Sequence, residues 1–138
     1  MIENASEMGL GIEVAQGDSR ITKVGSFLRR WSLDETPQLL NVLKGQMSLV
    51  GPRPALPYQV EKYSASEKMR LLVEPGMTGW SQINGRNLLS WKERIKLDIW
   101  YIENFSLWLD LKILILTPRL IISKVGLYGK EGIVKDYE

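Results

Sequence analysis

The strongest hydrophobic periodicity runs from residue 90 to residue 124. Trp91, Ile95, Ile99 and Ile102 fall on one stripe at helical spacing. Ser90-Trp91-Lys92-Glu93 precedes it as a capping box, in which the Ser side chain and the Glu side chain satisfy each other's backbone N–H groups. The pattern predicts a helix over 91–104, its stripe packed in the core, with Arg94 one turn before Asp98 and placed to pair with it. Ser106 opens a second helix, SLWLDLKILILTPRLIISKVG, interrupted by Asp110 and Lys112, with Pro118 expected to kink or stop it. It falls short of the roughly 20 apolar residues of a spanning helix and is too apolar for a fully wetted face. Two readings stay open: a core helix, or an interfacial helix with Trp108, Lys112, Arg119 and Lys124 at headgroup level.

Upstream the elements are shorter. Residues 1–17 read as a polar, loosely ordered arm with a short strand near 11–15, and residues 20–24 as another short strand. Ser26 is placed to cap a helix over 27–31 that carries Arg29 and Arg30, cations that serve either as ion-pair partners or as phosphate ligands. The most information-dense stretch is SLDETPQLLNVLKGQMSLVGPRP, residues 32–54. Thr36 as cap and Pro37 as first helical residue give a helix ending at Gly45, and a capping box of Ser32 and Glu35 is the rival start. Either start leaves Asp34 and Glu35 at the positive end of a short helix, a field that stabilises carboxylate and attracts phosphate. An apolar run over 47–50 leads to Gly51-Pro52-Arg53-Pro54, where flanking prolines restrict Arg53 and suit its guanidinium to bidentate phosphate binding. Helices are expected over 57–63 and 66–73, ended by Pro75-Gly76. Residues 76–87, GMTGWSQINGRN, predict a Gly-rich loop with a strand over 78–83; it matches no Walker or dinucleotide fingerprint. A polar, frayed tail follows Gly126. The sum is an α+β fold, mostly helical with a few short strands and with amphipathic helices suited to a membrane interface.

Composition narrows the chemistry. The chain has 138 residues, 44% hydrophobic and 25% charged, with a formal charge of +2, which gives bulk charge no case for nucleic acid. It has no Cys and no His. Ser-His-Asp and Cys-His catalysis, His-ligated zinc and an imidazole base are therefore excluded. What remains is carboxylate, Lys, Arg or Tyr chemistry and a hard metal such as Mg²⁺.

RITKVGSFLRRWSLDETPQLLNVLKGQMSLVGPRP, PGMTGWSQINGRN, WKERIKLDIWY and SLWLDLKIL, in that order, resemble the bacterial sugar transferase family. These are monotopic polyprenol-phosphate phosphoglycosyl transferases. The similarity runs from about Arg20 to Lys124, although Gln46 and Thr36 stand where many relatives carry Asp and Leu. The resemblance implies a catalytic domain over 20–126, which leaves the polar arm over 1–19 and the polar tail over 127–138 on either side. It implies Asp34 as nucleophile, Glu35 as its partner, both at a Mg²⁺ site, and Arg53 and Arg29 on substrate phosphate. Thr78, Gln82, Asn84 and Arg86 are expected near the nucleotide or sugar. Asp98 and Tyr101 match family positions without an assigned role. The implied partners are a nucleotide diphosphosugar, polyprenol phosphate and the cytoplasmic membrane surface, with peripheral attachment and no nucleic acid. Relatives carry an N-terminal re-entrant helix before the Arg20 region; without it, exposed apolar surface is expected to favour homo-oligomers.

Overall fold

A computed structural model describes residues 13–15, 17–127 and 133–134. The expected arm and tail fall largely outside these residues. Their described parts, β1 (Val14–Ala15) and β4 (Ile133–Val134), pair antiparallel. The fold is α+β, as expected.

The strand expected over 20–24 is absent. The Asp18 carboxylate accepts the Arg20 backbone N–H at 2.9 Å and the Arg20 guanidinium at 2.6 Å, which turns the chain. Thr22, not Ser26, then caps α1 (Lys23–Arg30), its Oγ1 accepting the Gly25 N–H at 3.1 Å. Neither anticipated start precedes α2 (Gln38–Leu43). Instead a 3-10 turn, Leu33–Glu35, carries Asp34 and Glu35 and leads into α2 through Thr36 and Pro37, both with right-handed helical backbone. Ser32 is left-handed, with φ 54°, and makes no cap; the Thr36 hydroxyl donates to the Leu33 carbonyl at 2.7 Å. Gly45, with φ +71°, closes α2 as N–H groups of Gly45 and Gln46 donate to the carbonyls of Val42 and Asn41.

β2 (Ser48–Val50) pairs parallel with β3 (Gly76–Thr78). Beyond β2 the ladder continues through Gly51 N–H to Thr78 O (2.8 Å) and Gly76 N–H to Pro52 O (2.9 Å). Only glycine permits this approach, because a Cβ on Gly76 would lie 2.0 Å from Gly51 N. The Pro52-Arg53-Pro54 turn is thereby fixed at the carboxyl end of a parallel strand. The strand expected over 78–83 lies earlier, because the Ile83 N–H finds the Gly79 carbonyl at 3.1 Å and 80–83 coils into α4 (Trp80–Ile83).

α3 (Pro57–Glu61) and a 3-10 turn, Glu67–Leu71, occupy the two segments expected as helices. α5 (Trp91–Glu103) starts with the anticipated box: the Ser90 N–H donates to Glu93 Oε2 at 2.7 Å and the Glu93 N–H to Ser90 Oγ at 3.3 Å. α6 (Leu107–Ser123) runs through Pro118 without stopping. Tyr63 and Ile95 form one buried cluster with Trp91 and Ile99 against it, and Val50, Tyr101 and Ile113 form another with Ile102 and Trp80. The two readings of the last helix divide by face. Ile113 is fully buried, whereas Leu107 and Trp108 are each 80% exposed and Ile115 and Ile122 are also open. Among the described residues no helix is long and apolar enough to cross a membrane.

Candidate active site

A cavity of about 460 Å³ lies where the turn of Asp34 and Glu35 (the dyad), the Arg53 turn and α5 meet. Five arginines line it, Arg29, Arg53, Arg70, Arg86 and Arg94, with three carboxylates, Asp34, Glu35 and Asp98. That excess of positive charge suits a ligand with two phosphates.

The dyad is held from both sides. Arg53 Nη2 lies 2.8 Å from Glu35 Oε1, and Arg29 Nε lies 4.0 Å from Asp34 Oδ2. Arg86 Nη2 donates to the Oγ of Ser32, the left-handed residue that opens the dyad turn, at 3.4 Å. Burial pushes the Arg86 guanidinium down from its usual range, while the charges of Glu35 and Asp34 pull it up.

The other end of the cavity is built on α5 and the Glu67–Leu71 turn. Arg70 is buried and fully engaged. It meets Asp98 Oδ2 at 2.7 Å, donates to Tyr63 Oη at 2.7 Å and donates to the Arg53 carbonyl at 2.9 Å. Burial pushes the Asp98 carboxyl up, against the pull of Arg70. The close partner of Asp98 is therefore Arg70, not Arg94 as the one-turn spacing predicted. Arg94 Nε donates to the Leu89 carbonyl at 3.0 Å and its guanidinium lies over the Trp91 ring, 5.1 Å from the centroid.

Of the residues expected at the site, Asp34, Glu35, Arg29, Arg53, Gln82 and Arg86 line the cavity. Gln82 is buried and donates through Nε2 to the Met77 carbonyl. Thr78 and Asn84 lie elsewhere. Thr78 shares a 2.7 Å hydrogen bond with Thr117 and so ties β3 to α6, and the exposed Asn84 donates to the Trp80 carbonyl. Tyr101 also lies apart, its hydroxyl donating to Asp110 at 2.6 Å. Sequence reasoning missed Arg70, Arg94 and Leu127. Nothing in SASEKMRLL marks Arg70 as buried, whereas Arg94 beside Trp91 on a capped helix was a usable signal. Leu127 is brought to the cavity because Asn87 Nδ2 donates to its carbonyl at 2.9 Å.

No group of three or more His, Cys, Asp or Glu that could hold a metal occurs among the described residues. With Asp98 buried against Arg70, Asp34 and Glu35, each beside an arginine, are the accessible carboxylates on the cavity wall. Two adjacent carboxylates are hard oxygen donors of the kind Mg²⁺ takes, with water or a ligand's oxygens able to complete the set, so the residues fit that ion.

Residues 1–124 match the family model described as bacterial sugar transferase. The uncharacterized sugar transferase EpsL of Bacillus subtilis is 53% identical over 108 residues, 78% of this chain and 54% of that protein. An undecaprenyl-phosphate galactose phosphotransferase of Salmonella typhimurium is 47% identical over 113 residues, 82% of this chain and 24% of the relative. A UDP-glucose:undecaprenyl-phosphate glucose-1-phosphate transferase of Xanthomonas campestris is 44% identical over 124 residues, 84% of this chain and 26% of the relative. The chain thus spans about half of the first relative and about a quarter of the other two. On the extent of the match and the identity of these relatives, the chain belongs to the bacterial sugar transferase family.

Proposed function

We propose that the chain carries the catalytic site of a phosphoglycosyl transferase. It moves a sugar-1-phosphate from a nucleotide diphosphosugar, a UDP-sugar, to polyprenol phosphate and so initiates a surface glycan. The observation that carries this reading is the placement of Asp34 and Glu35 in one cavity with five arginines. The names of the Salmonella and Xanthomonas relatives supply the lipid acceptor, and the Xanthomonas name supplies the UDP-sugar.

In the first step an Asp34 carboxylate oxygen attacks the sugar-bearing phosphorus. The bond from that phosphorus to the bridging oxygen breaks, and the bridging oxygen leaves with UMP. A phosphosugar then stands on Asp34. In the second step a phosphate oxygen of the polyprenol phosphate attacks the same phosphorus. The bond to Asp34 breaks, the carboxylate is restored and a polyprenol-diphospho-sugar departs. Covalent catalysis of this kind splits one difficult transfer into two and needs no imidazole. Arg53 neutralises phosphate charge from a turn fixed by prolines and by Arg70, and Arg29 and Arg86 add positive charge around the dyad. Asp34 and Glu35 would hold Mg²⁺, which supplies further neutralisation of the diphosphate when bound. The open apolar face of α6, with Trp108 and Ile115, rests on the cytoplasmic face of the membrane, where the acceptor's phosphate is presented.

Exchange of labelled UMP into a UDP-sugar tests the first step alone. Mg²⁺-dependent exchange that vanishes in Asp34→Asn is expected. Equal exchange in parent and variant would sink the covalent reading.

A further inference from the structure

The two positively charged ends of the cavity are not equivalent. Arg86 reaches Ser32 next to the turn of Asp34 and Glu35, whereas Arg94 lies on α5 one turn before Asp98, which Arg70 holds. Arg94 therefore belongs to the α5 end of the cavity, away from Asp34 and Glu35. Arg29, Arg53 and Arg70 each have a carboxylate within 4.0 Å. Arg94 has none among the described residues, although it is half-buried and lines the cavity. Burial first, and then repulsion by Arg53 and Arg70, push its guanidinium below the usual range, and Asp98 offsets only part of that.

A half-buried cation with no carboxylate at ion-pair distance, repelled by two neighbouring arginines and turned to a cavity, is satisfied by an anion. Two contacts orient it before any ligand arrives. The Leu89 carbonyl takes Nε and the Trp91 ring lies under the guanidinium. Phosphoryl transfer places the leaving oxygen roughly in line with and opposite the attacking one. With Asp34 attacking from the dyad end, the leaving group lies toward the Arg94 end.

We propose that Arg94, backed by Trp91, binds the phosphate of the nucleoside monophosphate that leaves in the first step. The donor's diphosphate then lies along the cavity, with its sugar-bearing phosphate at Asp34 and its nucleoside-bearing phosphate at Arg94. This rests on the donor chemistry proposed above. Arg94 matters most as the bridging bond breaks, because the leaving phosphate gains a negative charge at that moment.

Calorimetric titration with UMP tests this without turnover, on the parent chain and on Arg94→Gln, Arg94→Lys and Lys92→Gln. Lys92→Gln makes the same charge change at an exposed position of the same helix. Loss of a charge-assisted contact should weaken UMP binding by about ten- to a hundredfold in Arg94→Gln. Arg94→Lys should recover part of it, and Lys92→Gln should bind as the parent does. UMP binding unchanged in Arg94→Gln, weakened equally in Lys92→Gln, or undetectable in the parent would overturn the proposal. If Arg94→Gln does not fold, Arg94→Lys decides: parent-like UMP affinity against a several-fold loss in that variant again counts against it. A chain that binds UMP through Arg94 but never carries a phosphosugar on Asp34 would keep this subsite and remove the covalent mechanism.

Discussion

Arg53 Nη2 lies 2.8 Å from Glu35 Oε1, joining the turn after β2 to the turn before α2. The contact fixes the dyad's second carboxylate and aims a guanidinium into the cavity that holds Asp34. Arg53→Gln removes that donor and is expected to slow UMP release by about a hundredfold, the scale of losing one preorganised donor to a developing charge. Arg53→Lys keeps a charge but loses the planar fork, and should fall between the two. Single-turnover UMP release measures both, and a parent-like rate in Arg53→Gln would remove Arg53 from the site.

The buried Arg70–Asp98 pair supports that turn from behind, through the Arg53 carbonyl. Asp98→Leu strands a buried guanidinium and is expected to cost about 3–5 kcal/mol of stability in a denaturant titration. The double change Arg70→Met with Asp98→Leu should regain much of that stability, because an ion pair replaced by apolar groups is often neutral. Its UMP release should stay slow, since nothing then holds the Arg53 carbonyl. Full recovery of both stability and rate would show that the pair does not position Arg53.

The fold was legible where a pattern is local. The 91–104 helix, its capping box and the Ser106 start came from periodicity and from side chains three residues apart. The start of α2 was misread because a 3-10 turn has no sequence signature beside Thr36-Pro37, and Thr36 uses its hydroxyl as a donor to Leu33 rather than as a cap. The strand expected at 20–24 failed because the Asp18–Arg20 turn outcompetes extension. On the cavity wall, Asp34, Glu35 and Arg53 are legible as an adjacent carboxylate pair and a proline-flanked arginine, while their expected roles come from the family resemblance alone. Arg70 was not, since its role depends on Asp98 and Tyr63, 28 and 7 residues away in sequence. Leu127 is tied to the cavity by Asn87, a tertiary contact with no local trace.

Acid stability should report the Asp18–Arg20 turn. The Arg20 guanidinium and backbone hold the Asp18 carboxyl well below its ordinary 3.8. A carboxyl whose value is lower in the folded state stabilises the fold above 3.8 and loses that contribution as pH falls further. Asp18→Asn should therefore melt lower than the parent at pH 7 and 5, and the gap should narrow toward pH 2. A gap that stays constant from pH 7 to pH 2 would contradict the sign.

Trp108, at 80% exposure on α6, tests the proposed membrane face. Trp108→Glu is expected to reduce co-sedimentation with anionic phospholipid vesicles by about tenfold, from lost apolar burial and added like charge. Leu43, exposed on α2, provides the comparison: Leu43→Glu with an equal loss would mean that α6 is not distinguished from the rest of the apolar surface.

Intact-mass spectrometry of the folded chain, incubated with Mg²⁺ and a panel of UDP-sugars, reads the covalent step itself. A mass gain of one phosphosugar with at least one donor, absent in Asp34→Asn, is the expected result and also identifies the sugar. No adduct with any donor, or an adduct that persists in Asp34→Asn, would contradict the assignment of Asp34 as nucleophile.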